Sequence, residues 1–97
     1  MAQFDVYRLP DGRHLVDLQT DLVTVEASRI TAPMVRPTSP LALTRLTPPV
    51  RLNDQDWVVI VPQLAAIPAR NLRQRVGSLS DHADEIFRAI DILTHGF

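Results

Sequence analysis

Along most of this chain hydrophobic and polar residues alternate with the two-residue period of extended strands, and only at the end does the pattern lengthen to that of a helix. Gln3 to Leu9 sets Phe4 and Val6 on one face and Asp5 and Tyr7 on the other before meeting Pro10-Asp11-Gly12, which predicts a strand and then a turn. From Leu15 to Val25 the apolar residues Val16, Leu18, Leu22, Val23 and Val25 are interrupted by Asp17, Gln19, Thr20, Asp21 and Thr24, and the β-branched content favours strand. Arg29 to Val35 predicts a further short strand, which Pro33 assigns to an edge or a bulge because proline cannot donate to a ladder.

Pro37, Pro40, Pro48 and Pro49 make the stretch from Arg36 to Pro49 an irregular loop, with room for one helical turn at Leu41 to Leu46. Val50 to Leu52, the polar run Asn53-Asp54-Gln55-Asp56, and Trp57 to Val61 then read as a hairpin whose second arm is the most buried strand. Pro62, Pro68 and Gly77 punctuate one or two more short strands carrying Leu64, Ala65, Ile67, Leu72 and Val76.

The last segment is of another kind. Ser80 is a good N-cap, and Asp81, Asp84 and Glu85 complement the positive end of a helix dipole. At 100° per residue Ile86, Ile90, Leu93 and Phe97 share one stripe, flanked by Ala83, Phe87 and Ala89, and that face is expected to pack on the sheet. Asp84, Arg88, Asp91 and His95 fall on the opposite side, and Ile92 has no core to fill. Such a helix of about 16 residues spans roughly 24 Å, enough to cross the sheet and leave its last turn projecting.

Composition narrows what this framework does. Ninety-seven residues make one domain, residues 1–97, and a core this small gains stability from a second copy of itself. There is no cysteine, no run of about 18 apolar residues, and no basic and apolar leader at the amino terminus, which together predict a soluble cytoplasmic protein without a membrane partner. The net charge is −1 and every basic residue is Arg, so no long-range field holds a phosphate backbone and no lysine is available for a P-loop or a Schiff base.

Chemistry-bearing residues are present but badly placed for catalysis. Ser80, Asp81 and His82 point about 100° apart on a helix and form no triad. His14 and Asp17, at i and i+3 on a strand, face opposite ways, and no metal is expected. Asp17 and Asp21 would stand roughly 13 Å apart on an extended strand, too far for an acid–base pair, while Asp54 and Asp56 serve the turn. Gly12, Gly77 and Gly96 are too scattered for a phosphate loop, so no cofactor is expected. Trp57 reads as filler for a sheet face rather than a ligand platform.

The whole pattern resembles the CcdB family of toxin–antitoxin toxins. Gln3, Phe4, Val6 and Tyr7 are similar to its opening strand, and Val16, Asp17, Gln19, Asp21 and Leu22 to its next segment. Arg29 and Pro33, Pro48 and Val50, Asp54 and Trp57, and Ala65 and Pro68 follow at the family's spacing. Val76, Leu79 and Ser80 then lead into a helix with Ile86, Ala89 and Ile90 that closes on glycine and an apolar residue. The resemblance implies a mainly β fold, an SH3-like barrel or antiparallel sheet with a small second sheet and a carboxy-terminal helix, assembled as a homodimer.

It also implies a protein that acts by binding rather than as an enzyme. The family's partners are the A subunit of DNA gyrase, which it traps with its DNA cleaved, and a CcdA-like antitoxin; DNA is met only indirectly, when the toxin–antitoxin complex represses its own operon. Carried over by position, the gyrase contacts are Leu22 and Val23 together with Asp91, Thr94, His95, Gly96 and Phe97. This chain has His95 where the family has Trp and Asp91 where it has Asn. Two other readings stand beside this one: an RNA-cleaving toxin of the MazF and Kid type, for which Arg70, Arg73 and Arg75 would engage phosphate, and a homologue that has lost gyrase poisoning.

Overall fold

A computed structural model describes residues 2–21, 27–38 and 46–96. Leu22, Val23 and Phe97 therefore lie outside the described residues, as does most of the helical turn expected at Leu41 to Leu46. Among the described residues seven strands run as β1 (Asp5–Arg8), β2 (His14–Asp17), β3 (Ser28–Val35), β4 (Pro49–Leu52), β5 (Gln55–Val59), β6 (Ala65–Pro68) and β7 (Gln74–Ser78), followed by the helix α1 (Ala83–His95). The strands form one antiparallel sheet in the order β4-β5-β3-β2-β1-β7, with β6 paired to the first half of β3. The β4–β5 hairpin is the smaller piece and joins the rest through the end of β3.

Side-chain alternation gives the sheet two apolar faces. Val6, Val16 and Ala32 stand in one cross-strand row and are fully buried in the larger core, beneath Ile86 and Ala89 of α1. In the adjacent row Tyr7 and Leu15 turn the other way and pack with Leu9, Leu72 and Ile67. At about 25 cal/mol per Å² of apolar surface, rows like these are the dominant favourable term in so small a fold.

The sequence assigned Pro33 to an edge or a bulge, and the structure places it in an interior strand where the neighbour on one side changes. Leu18 donates to the Ile30 carbonyl, so by strand alternation the imino side of Pro33 faces away from β2. There the neighbour of β3 changes from β6 to β5, and only the Pro33 carbonyl is used, accepting from Ile60. The missing donor falls in a gap of the ladder. The strand expected from Leu15 to Val25 also ends early, at Asp17, where the chain turns around a buried ion pair described below.

In the β4–β5 hairpin the connection is two residues, Asn53 and Asp54, both at positive φ (51° and 64°), which matches the right-handed twist of the arms. From this tip Asn53 Nδ2 donates to the Val76 carbonyl of β7, 2.9 Å away, so opposite ends of the strand order meet and the sheet curls. Gly77 permits that approach, since a Cβ there would stand 2.5 Å from Leu52 Cδ1.

Tyr7 supplies a prediction on stability. Burial is the main cause that raises its hydroxyl above the ordinary pKa of 10.0, with Asp5 and Asp17 adding to it against Arg29 and Arg75. Below about pH 10 folded and unfolded chains both hold the proton; above it the unfolded chain releases it first, so this contribution to stability is lost as pH rises towards the folded value. The chain has one Tyr, no Cys and no Lys, leaving no other side chain to titrate there. Denaturant midpoints between pH 9 and about 11.5 are expected to fall for the wild type and to stay nearly flat for Tyr7→Phe.

Candidate functional site at the tip of the terminal helix

The helix is fixed at its start and free at its end. Leu79 is fully buried and donates its backbone N–H to Phe4, which pins the chain to the sheet before the turn begins. From there residues Ser80–His82 form a 3-10 turn, with His82 donating to the Leu79 carbonyl, and α1 starts only at Ala83. Ser80 is thus not the cap that the sequence suggested, and no side chain caps either segment.

His82 ties this end down instead. Its Nε2 accepts from the Arg51 backbone N–H at 3.2 Å, which leaves Nδ1 to donate to Glu85 at 2.7 Å. Asp84 and Glu85 in the first turn complement the helix dipole. One turn on, Ile86 and Ala89 are buried and Ile90 half-buried, while Phe87 packs edge-on against Phe4 with ring centroids 5.3 Å apart.

Beyond Ile90 the helix leaves the core. Asp91, Thr94, His95 and Gly96 are all exposed, and so is Leu93 at 39%, although periodicity had placed it in the buried stripe. Ile92, which had no core to fill, is half-buried.

Gly96 closes the helix in the left-handed region at φ 81°, donating its N–H to the Ile92 carbonyl at 2.9 Å. A Cβ there meets open space, so only backbone strain restricts the position. Thr94 Oγ1 donates back to the Ile90 carbonyl at 2.9 Å and stands 2.8 Å from His95 Nδ1. The structure therefore brings Asp91, Thr94, His95 and Gly96 together on one projecting turn.

A second feature shapes the segment that leads towards residues 22–26. Asp17 is fully buried, and Arg29 meets it through Nε at 2.8 Å and through an Nη at 2.7 Å. The same guanidinium donates to the Gln19 carbonyl and lies 3.7 Å from Asp21. Asp17 and Asp21 thus share one cation instead of standing roughly 13 Å apart as an unbroken strand would hold them. With Asp17 sealed against Arg29, the cluster is a structural clamp.

Other sequence candidates are dispersed. The His14 ring lies 4.5 Å from that of Trp57, on the side of β2 opposite Asp17, and Arg36 lies 5.0 Å over the same indole. Of the three arginines considered for phosphate, Arg75 pairs with Asp5 at 3.0 Å, whereas Arg70 and Arg73 line an open groove with Arg13 and Asp11. Sequence reading missed Arg13, whose only signal is its place in the β1–β2 turn. Among the described residues no cluster of His, Asp and Glu is suited to a metal, and no helix is long and apolar enough to cross a membrane.

Comparison with known proteins adds to this geometry. A family model described as CcdB protein matches residues 3–96. Among solved structures, one described as the crystal structure of an Mtb toxin superposes with a TM-score of 0.71, covering 88% of this chain and 94% of its own at 20% identity. Another, the Mycobacterium tuberculosis toxin MazF-mt6, superposes with a TM-score of 0.69 over 90% of each chain, also at 20% identity. Likeness at that identity speaks for the fold alone.

Proposed function

Because the chain belongs to the CcdB family, it is the toxin of a toxin–antitoxin pair, and we propose that it poisons DNA gyrase by binding the A subunit and holding the enzyme with its DNA cleaved. The observation that carries this reading is the projecting last turn of α1, whose Asp91, Thr94, His95 and Gly96 are exposed while Ile86 and Ala89 anchor the helix. A rigid base with an uncommitted tip suits insertion into another protein. Leu22, Val23 and Phe97 complete the proposed contact on the family pattern.

In this reading the working unit is a cytoplasmic homodimer, which presents two such tips. A CcdA-like antitoxin neutralises it, and DNA is reached only through the toxin–antitoxin complex. No catalytic step is assigned to the chain. An RNA-cleaving role is less well supported, because Arg75 is engaged by Asp5 and, among the described residues, the groove holding Arg70 and Arg73 has Asp11 as its one carboxylate and no histidine.

Expression in a gyrase-sensitive strain without antitoxin tests the proposal. Growth is expected to stop with DNA damage, while total RNA stays intact. Continued growth at full expression would favour a homologue that keeps only antitoxin binding.

A further inference from the structure

Strand β4 ends the strand order, and its outer edge is closed by one side chain. With a two-residue turn at Asn53 and Asp54, Leu52 and Val50 exchange their backbone bonds with β5, and the Pro48 carbonyl accepts from Val59 in the same register. Pro49 and Arg51 therefore turn their backbone outwards. Proline has no N–H, so Arg51 carries the one outward donor within β4, and that donor is taken by His82. An outer strand without a free donor is a poor template for other extended chains.

Both ring nitrogens of His82 are committed, and the chemistry of their partners fixes the ring. A backbone N–H can only donate, so Nε2, 3.2 Å from the Arg51 nitrogen, carries no hydrogen. The ring hydrogen sits on Nδ1 and is given to the Glu85 carboxylate at 2.7 Å. A second proton has no place but Nε2, where it would meet the Arg51 N–H donor against donor.

We infer that His82 is an acid-sensitive latch between the start of α1 and the edge of β4. Neutral, the ring accepts from Arg51 and closes the edge. Charged, it holds Glu85 as an ion-pair partner, can no longer accept, and releases the Arg51 N–H to solvent.

The charged groups on the elements around the ring are few. Asp81 precedes His82 in the 3-10 turn, and Asp84 and Glu85 follow in the first turn of α1. Across from it, the Arg51 guanidinium is turned to Asp56 at 2.9 Å and to the Asp54 carbonyl. Arg88 lines the same groove as His82 and Glu85, and the facing segment adds Thr47, Pro48 and Pro49, none of them charged. An imidazolium that lets go of Arg51 thus keeps its counter-ion beside it.

Magnetic resonance of the wild-type protein between about pH 8 and about pH 5, the range in which histidines change charge, tests the latch. Near pH 8 the imidazole ¹⁵N shifts are expected to place the hydrogen of His82 on Nδ1. As the ring gains its proton, the Arg51 amide is expected to lose about fivefold of its protection against hydrogen exchange, taken relative to the intrinsic rate at each pH. The Val16 and Ala32 amides, paired inside the sheet, should keep theirs. In His82→Gln the side-chain oxygen can accept from the same N–H and takes up no proton over this range, so the loss should vanish.

A ring that carries its hydrogen on Nε2 near pH 8 overturns the latch, as does an Arg51 amide that stays protected once His82 is charged. Equal loss of protection at Val16 and Ala32 would mean that acid loosens the whole sheet, and overturns it too. The wild-type titration decides the matter even if His82→Gln fails to fold.

Discussion

Replacing Arg29 with alanine is expected to cost about 3–5 kcal/mol of stability, because it strands the Asp17 carboxylate in a site with no access to water. Asp17 would keep the Gln19 backbone N–H at 3.0 Å but lose both bonds from the guanidinium. For a chain of 97 residues the lower end of that range lowers the melting temperature by roughly 12 °C or more. Most of the loss is the penalty of an unpaired buried charge rather than the net worth of the pair. A double variant, Asp17→Leu with Arg29→Met, should therefore be markedly more stable than Arg29→Ala alone. Chemical denaturation of the three proteins at neutral pH measures this directly. Equal stability of Arg29→Ala and wild type would mean that the carboxylate is not sealed from solvent.

That ion pair also marks where reading the sequence ran out. Asp17 and Arg29 are twelve residues apart, and nothing in the local alternation around Leu15 to Val25 says that Asp17 meets a cation from the next strand. Local signals were sufficient where local chemistry decides the outcome. The alternation of Phe4, Val6 and Tyr7, the turn residues Asn53 and Asp54, and the 3.6-residue period after Ser80 all report on neighbours along the chain.

Pro33 and Leu93 went astray because periodicity reports only on neighbours along the chain: Pro33 sits where β3 changes neighbours from β6 to β5, and Leu93 falls in the apolar stripe of the helix yet beyond the residues the core buries. For the site, Asp91, Thr94, His95 and Gly96 came from the family pattern, and the solvent side of the helix agreed with it for Asp91 and His95. The bond between Thr94 and His95 was invisible, since residues at i and i+1 on a helix do not ordinarily face each other.

Removing the last three residues, His95 to Phe97, is expected to abolish capture of the gyrase A subunit while leaving the fold largely intact. Its effect on binding is large because a projecting tip concentrates affinity in a few residues, and the loss of such anchors costs about 2 kcal/mol or more each. A fall in affinity of at least about 700-fold follows from losing two of them. The effect on stability is small, because among the described residues the truncation breaks the backbone bond from Gly96 to Ile92 and the intrahelical bond of the His95 N–H, each worth about 0.5–1.5 kcal/mol, and removes two exposed residues in His95 and Gly96. Ile86 and Ala89 hold the helix to the sheet without them. Calorimetric titration of gyrase A against both proteins, with their melting curves in parallel, separates the two effects. A truncated chain that stays folded and binds as tightly as the full chain would remove the tip from the mechanism.

The most direct measurement is a DNA cleavage assay with purified host gyrase, supercoiled plasmid and this protein. Linear plasmid is expected to accumulate with the full chain and to disappear when residues 95–97 are removed. Absence of linear DNA with the full chain at saturating concentration, or equal trapping by the truncated chain, would show that the helix tip does not poison gyrase.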